Sequence, residues 1–177
     1  KKKKNNTTGH SNTAIGPAAL ANNTTAVNNT AVGRDALYTN TTGATHVAVG
    51  SLALQNHQSG NDNTSIGYRS MQNSTTSERN TAVGENALHK LTTALNNVAV
   101  GVDAGQNITT GNSNVCLGKS AGDNITTGAN NVVIGKDAVN PSNTASNVIT
   151  LGNSSIGTLR CQVQTIGSLS DASFFFF

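Results

Sequence analysis

No run of 18 apolar residues occurs in the 177-residue chain, so it offers no candidate for a membrane-spanning helix. Charge is scarce too: Asp, Glu, Lys and Arg together make up 11% of the residues. Four of the eleven cationic residues are Lys1 to Lys4, and without them the net charge of +3 becomes −1. The remainder is near neutral and lacks the electrostatic footing that nucleic-acid binding needs. The basic run passes into Asn5, Asn6, Thr7 and Thr8 without an apolar stretch, so it does not read as a signal peptide.

Cysteine appears twice, as Cys116 and Cys161, with no Cys-x-x-Cys spacing, and neither a metal nor a redox role follows. His10, His46, His57 and His89 form no His-x-His or His-x-x-x-His pair, and they read as solvated side chains. There is no Walker-type loop and no close carboxylate pair in repeated geometry. These gaps argue against an enzyme and against a cofactor. Aromatics are 3% of the chain, and Asn, Thr, Gly and Ala dominate. Disordered chains can share such a composition, but they do not keep a strict period.

This chain keeps one. Gly16, Gly33, Gly50, Gly67, Gly84, Gly101, Gly118, Gly135 and Gly152 are spaced by 17 residues throughout, without insertion or deletion. Each copy is one rung of a stack. The residue before each glycine is a β-branched or aliphatic hydrophobe: Ile15, Val32, Val49, Ile66, Val83, Val100, Leu117, Ile134, Leu151. Two residues earlier stand Thr13, Thr30, Val47, Thr64, Thr81, Val98, Val115, Val132 and Ile149. Same-side spacing of two with β-branched side chains predicts a strand of about four or five residues.

The column between those two reads Ala14, Ala31, Ala48, Ser65, Ala82, Ala99, Cys116, Val133, Thr150. It is small or apolar and never charged, so it is expected to face something close, most simply a neighbouring chain. A second apolar patch follows the glycine. It runs Ala19, Ala36, Ala53, Ser70, Ala87, Ala104, Ala121, Ala138, Ser155, then Leu20, Leu37, Leu54, Met71, Leu88, Gly105, Gly122, Val139, Ile156. Two short strands per rung make a thin core, which three coils side by side would share better.

The glycine column reads as a structural corner requiring positive φ or close backbone approach. Asn12, Asn29, Asn63, Asn80, Asn97, Asn114 and Asn131 form an asparagine column interrupted by His46 and Val148. Stacked amides can hydrogen-bond up such a column as a ladder. Polar loops such as Asn40-Thr41-Thr42-Gly43 separate the rungs. Their threonine pairs suggest ice binding, but adjacent threonines on a strand point to opposite faces and the array breaks at Gln58-Ser59 and Asn143-Thr144. The sequons, such as Asn40, Asn107 and Asn124, arise by chance in so Asn/Thr-rich a chain. Tyr38, His57 and Arg79, in the most variable loops, are the candidate receptor contacts.

The chain divides into a basic and polar tail (1–11), a nine-rung solenoid (12–157), a terminal strand and linker (158–170), and a remnant or artificial tail (171–177) ending in Phe174 to Phe177. The unit Asn80-Thr81-Ala82-Val83-Gly84-x-x-Ala87-Leu88 resembles the head repeats of trimeric autotransporter adhesins of the YadA type. It is still more similar to repeats in the tail fibres of phages and other large viruses, where the unit often carries an Asn-Thr-Thr-Gly spacer. That resemblance covers roughly 12–157 and implies a left-handed parallel β-roll assembled as a homotrimer. The stretch from Asn147 to Asn153, then Leu159 to Val163, then Ser170-Asp171, looks like the junction before an intramolecular chaperone domain. In that resemblance autocleavage falls between Ser170 and Asp171. The usual basic residues after the Asp are replaced here by Ala172, Ser173 and four Phe.

The expectation is an all-β, left-handed parallel β-solenoid in a homotrimeric fibre, with a shaft about 40 Å long at ~4.8 Å per rung. It would be a structural and adhesive, extracellular protein: a viral tail-fibre segment that attaches to a glycan or protein receptor on a host cell. The rival readings are the head of a bacterial surface adhesin, a monomeric solenoid binding ice or carbohydrate, and a plain extracellular filament.

Overall fold

The structure, a computed structural model, describes residues 5–158. Nine strands form one sheet: β1 (Thr13–Ile15), β2 (Thr30–Val32), β3 (Val47–Val49), β4 (Thr64–Ile66), β5 (Thr81–Val83), β6 (Val98–Val100), β7 (Val115–Leu117), β8 (Val132–Ile134) and β9 (Ile149–Leu151). They lie in sequence order, all parallel. Each residue pairs with its counterpart one repeat on, as in Thr81↔Val98, Ala82↔Ala99 and Val83↔Val100. The chain is therefore a β-solenoid of about eight turns, with no helix among the described residues.

Each strand is three residues long, and each coil has one strand, not two. The second apolar patch lies in turns. Leu20, Leu37, Leu54, Met71 and Leu88 occupy the left-handed region, with φ between 49° and 51°. That conformation costs an L-residue about 1–2 kcal/mol. Two things offset it: the side chain is fully buried, and the backbone N–H is satisfied by the next coil, as Leu37 N–H donates to Ala53 O at 3.0 Å. The turns are thus bonded coil to coil, as the strands are.

The small column does not face a neighbouring chain. Ala31, Ala48, Ser65, Ala82, Ala99, Cys116 and Val133 point inward and are wholly buried within the single chain. They pack against the leucine and alanine columns of the turns in one continuous core. The coil is so narrow that a methyl group fills the space between strand and turn, which explains why the column stays small. The β-branched columns on either side point outward. Ile66, Val100 and Ile134 keep 38%, 41% and 39% of their surface exposed.

The core is refilled where a leucine is missing. Gly105 and Gly122 stand in the leucine column, and Ile108 and Ile125, three residues on, are fully buried beside them; one coil earlier Leu91 holds that position together with Leu88. The end of Ile108 lies 3.0 Å from where a Cβ on Gly105 would sit. The stack also begins earlier than residue 12. Thr7 N–H donates to Thr24 O at 2.9 Å and Asn5 Nδ2 to Asn22 Oδ1 at 3.1 Å, so residues 5–11 form part of a further coil and not a free tail.

Candidate functional site

The asparagine column builds the most ordered polar feature of the molecule. Asn97 shows its geometry. Its Oδ1 accepts the backbone N–H of Asn114 at 2.9 Å, and its Nδ2 donates to Gly111 O at 2.9 Å. The same two bonds recur at Asn29, Asn63, Asn80, Asn114 and Asn131, and the bond from Asn131 is the last, received from Val148 N–H at 3.0 Å. These side chains are buried, so each amide bonds one coil to the next where water cannot compete.

The histidines are not all solvated. His46 and His57 are fully buried, their rings edge to face with centroids 4.6 Å apart. Burial pulls His46 down to about 4, against the opposing pull of Gly60 O and Asp62. Burial, and then the neighbouring His46, pull His57 down to about 3. His89 is half-buried and lowered too, chiefly by desolvation, and its Nε2 meets Gln72 Oε1 at 3.1 Å. Cys116 is enclosed in the core, where burial pushes its thiol up to about 12, an inert small hydrophobe.

Of the candidate receptor contacts, Tyr38 is exposed, on the turn after β2. Arg79 is exposed before β5, where its Nε donates to Asn96 Oδ1 at 3.0 Å and it pairs with Glu78 at 3.3 Å. His57, buried beside His46, is withdrawn from the surface, and that role falls away for it. Tyr38 and Arg79 occupy different positions in their coils and share no contact network. Ser170 and Asp171 lie outside the described residues.

The threonine pairs do not form a two-row array. The first hydroxyl of each pair is tied along the stack, as Thr92 Oγ1 donates to Thr109 O at 3.1 Å and Thr109 Oγ1 to Thr126 O at 3.2 Å. From Thr24 onward only the second of each pair, such as Thr93, Thr110 and Thr127, is exposed, in single file.

One catalytic spacing passes unnoticed in a reading by columns. Gly118-Lys119-Ser120-Ala121-Gly122 matches the Gly-x-Ser-x-Gly pattern of a hydrolase nucleophile elbow. Ser120 has φ 54°, but Asp35, Leu52, Asn86, Asp103 and Asp137 hold the same turn with φ between 52° and 64°, so the conformation belongs to the repeat. No histidine stands on either neighbouring coil to serve as its base. Asp123, nearby, is raised by burial and then by the charges of Asp137 and Asp103. Among the described residues no group of three His, Cys, Asp or Glu is placed to hold a metal ion.

One uniform surface runs the length of the stack. It is the outer face of the sheet, two columns wide and mostly β-branched, uncharged from Thr13 to Leu151 and half-buried to exposed along its whole length. Comparisons with protein-family models, with curated proteins and with solved structures return no match.

Proposed function

We propose that this chain is a structural and adhesive fibre segment, assembled as a homotrimer of left-handed solenoids and projecting from a virion to attach it to a host cell. The observation that carries the trimer is the outer sheet face. Columns of Val, Ile, Leu and Thr, uncharged and half-buried to exposed over nine strands, are what a face awaiting identical partners requires. Covering the exposed two fifths of a residue such as Val100 is worth roughly 1 kcal/mol, and the gain repeats on every coil. The virion assignment rests on the Asn-Thr-Ala-Val-Gly-x-x-Ala-Leu resemblance and on the Asn-Thr-Thr-Gly spacers. Attachment would then fall to exposed loop residues, among them Tyr38 and Arg79.

Light scattering on the chromatographed protein tests the assembly. The expected mass is about 54 kDa, three times the 18.0 kDa of one chain. Val83→Lys with Val100→Lys places a charge on the outer face of two adjacent strands and is expected to leave folded single chains. A wild-type mass of 18.0 kDa overturns the reading and moves the self-sufficient binding module to first place.

A further inference from the structure

The interior of the solenoid changes character halfway along. Three residues after the leucine column stand Asn23, Asn40, His57 and Ser74, then Leu91, Ile108 and Ile125, all buried. The N-terminal half thus has a polar filling and the C-terminal half an apolar one. Beside that polar filling, the asparagine ladder has its one histidine.

His46 replaces both bonds of an asparagine. Its Nδ1 accepts Asn63 N–H at 3.2 Å and its Nε2 donates to Gly60 O at 3.1 Å. Only the neutral ring with its proton on Nε2 can do both. A proton on Nδ1 would meet the Asn63 N–H donor to donor, and the ladder would part between the third and fourth coils. His57 shares the same enclosure. Its Nδ1 lies 2.9 Å from Ser74 Oγ, which in turn meets Ser77 Oγ, and its Nε2 has no hydrogen-bond partner among the described residues. Two imidazolium rings 4.6 Å apart would repel. The charged group that favours protonation is Asp62, whose carboxylate accepts a hydrogen bond from Thr45 Oγ1. Asn40, Gly43, Gly60, Asn63, Ser74 and Ser77, packed around the two rings, are uncharged.

We propose that the stack carries an acid-sensitive seam at its third and fourth coils, where protonation of His46 and His57 breaks the side-chain ladder and opens the N-terminal half while the C-terminal half stays stacked. Both folded-state values, about 4 and about 3, lie below the ordinary 6.5. Between these limits the opened state binds protons that the stacked state refuses. Stability is therefore full above 6.5 and falls as pH drops through 4. Each linked proton shifts the ratio of stacked to open forms about tenfold per pH unit, so the pair shifts it roughly a hundredfold per unit.

The test uses the full chain and a variant, His46→Asn with His57→Asn, in which both residues take the identity found in neighbouring coils. Urea unfolding is followed between pH 6.5 and 4.5, with amide hydrogen exchange at pH 4.5 corrected for the intrinsic rate. The wild type is expected to lose roughly 2 × 10³-fold in its folding ratio beyond whatever the variant loses, and each single substitution roughly half of that on a logarithmic scale. Amides of Thr30, Val47 and Thr64 should lose protection before those of Val115 and Val132. Equal acid sensitivity of wild type and variant, or loss of protection starting in the C-terminal half, overturns the proposal. Should the variant fail to stack at neutral pH, the ring resonances of the wild type decide. Two rings that titrate near 6.5 with amide protection intact overturn it; two that stay neutral until protection is lost support it.

Discussion

Two glycines with positive φ separate backbone necessity from simple occupancy, and substituting each with alanine should give losses of different size. Gly84 has φ 137°, a region where an L-residue costs about 1–3 kcal/mol. A Cβ there would lie 2.4 Å from Gly101 O and 2.6 Å from Gly101 C. Both are backbone atoms, so no rotamer relieves the clash. The coils would have to separate by several tenths of an ångström, straining the bond from Gly101 N–H to Val83 O, now 2.8 Å. Adding about 1 kcal/mol for that bond, the expected loss for Gly84→Ala is roughly 2–4 kcal/mol. Gly105 has φ 56°, close to the 51° at which Leu88 already sits one coil earlier. A Cβ there would meet Ile108 Cδ1 and Leu88 Cδ2 at 3.0 Å, both ends of flexible side chains. Gly105→Ala should cost only about 1–2 kcal/mol. Urea unfolding followed by far-UV circular dichroism measures both, with the solution mass checked to hold assembly constant. If the two losses agree within about 0.5 kcal/mol, the glycine column is not a close-approach corner and the reasoning fails.

Two further outcomes follow from the core and the ladder. Asn97→Ala leaves Asn114 N–H and Gly111 O buried without partners and should cost about 2–5 kcal/mol, with hydrogen exchange at Asn114 accelerated accordingly. Gly105→Leu alone should destabilise by overpacking against Ile108, by about 1–3 kcal/mol, and Ile108→Ser should rescue much of it by reproducing the Met71 and Ser74 pairing; additive losses in the double-mutant cycle would refute the refilling account.

The period exposed the parallel stacking order, because a repeat without insertions leaves each strand only its own copies as neighbours. It did not reveal which strand face lies inside. Both faces lack charge: Ala82 and its column because they are enclosed by their own chain, Val83 and its column for another reason. Patterning identifies an interior by contrast with a charged exterior, and here the contrast is missing. The left-handed leucines were also illegible, since Leu has no intrinsic preference for positive φ; the next coil's carbonyl and the core impose it. The buried histidines had left a trace. His46 interrupts a column of asparagines, and a ring that can accept on one nitrogen and donate on the other is the natural substitute for a buried amide. His57 shares a column with Leu91, Ile108 and Ile125, which marks that position as interior. Receptor contacts leave no comparable trace, because a loop that stacks as a spacer and a loop that also binds need the same turn chemistry.

Each asparagine of the column reaches forward with both ends of its amide: its Oδ1 accepts an N–H of the coil that follows, and its Nδ2 donates to a carbonyl of that coil. The stack therefore has a direction as definite as that of synthesis. A chain emerging from its N-terminus finds each amide already placed before the N–H and the carbonyl that will bond to it have been made. Coil by coil, the finished part serves as the template for the part still arriving, and elongation needs no reopening of what lies below.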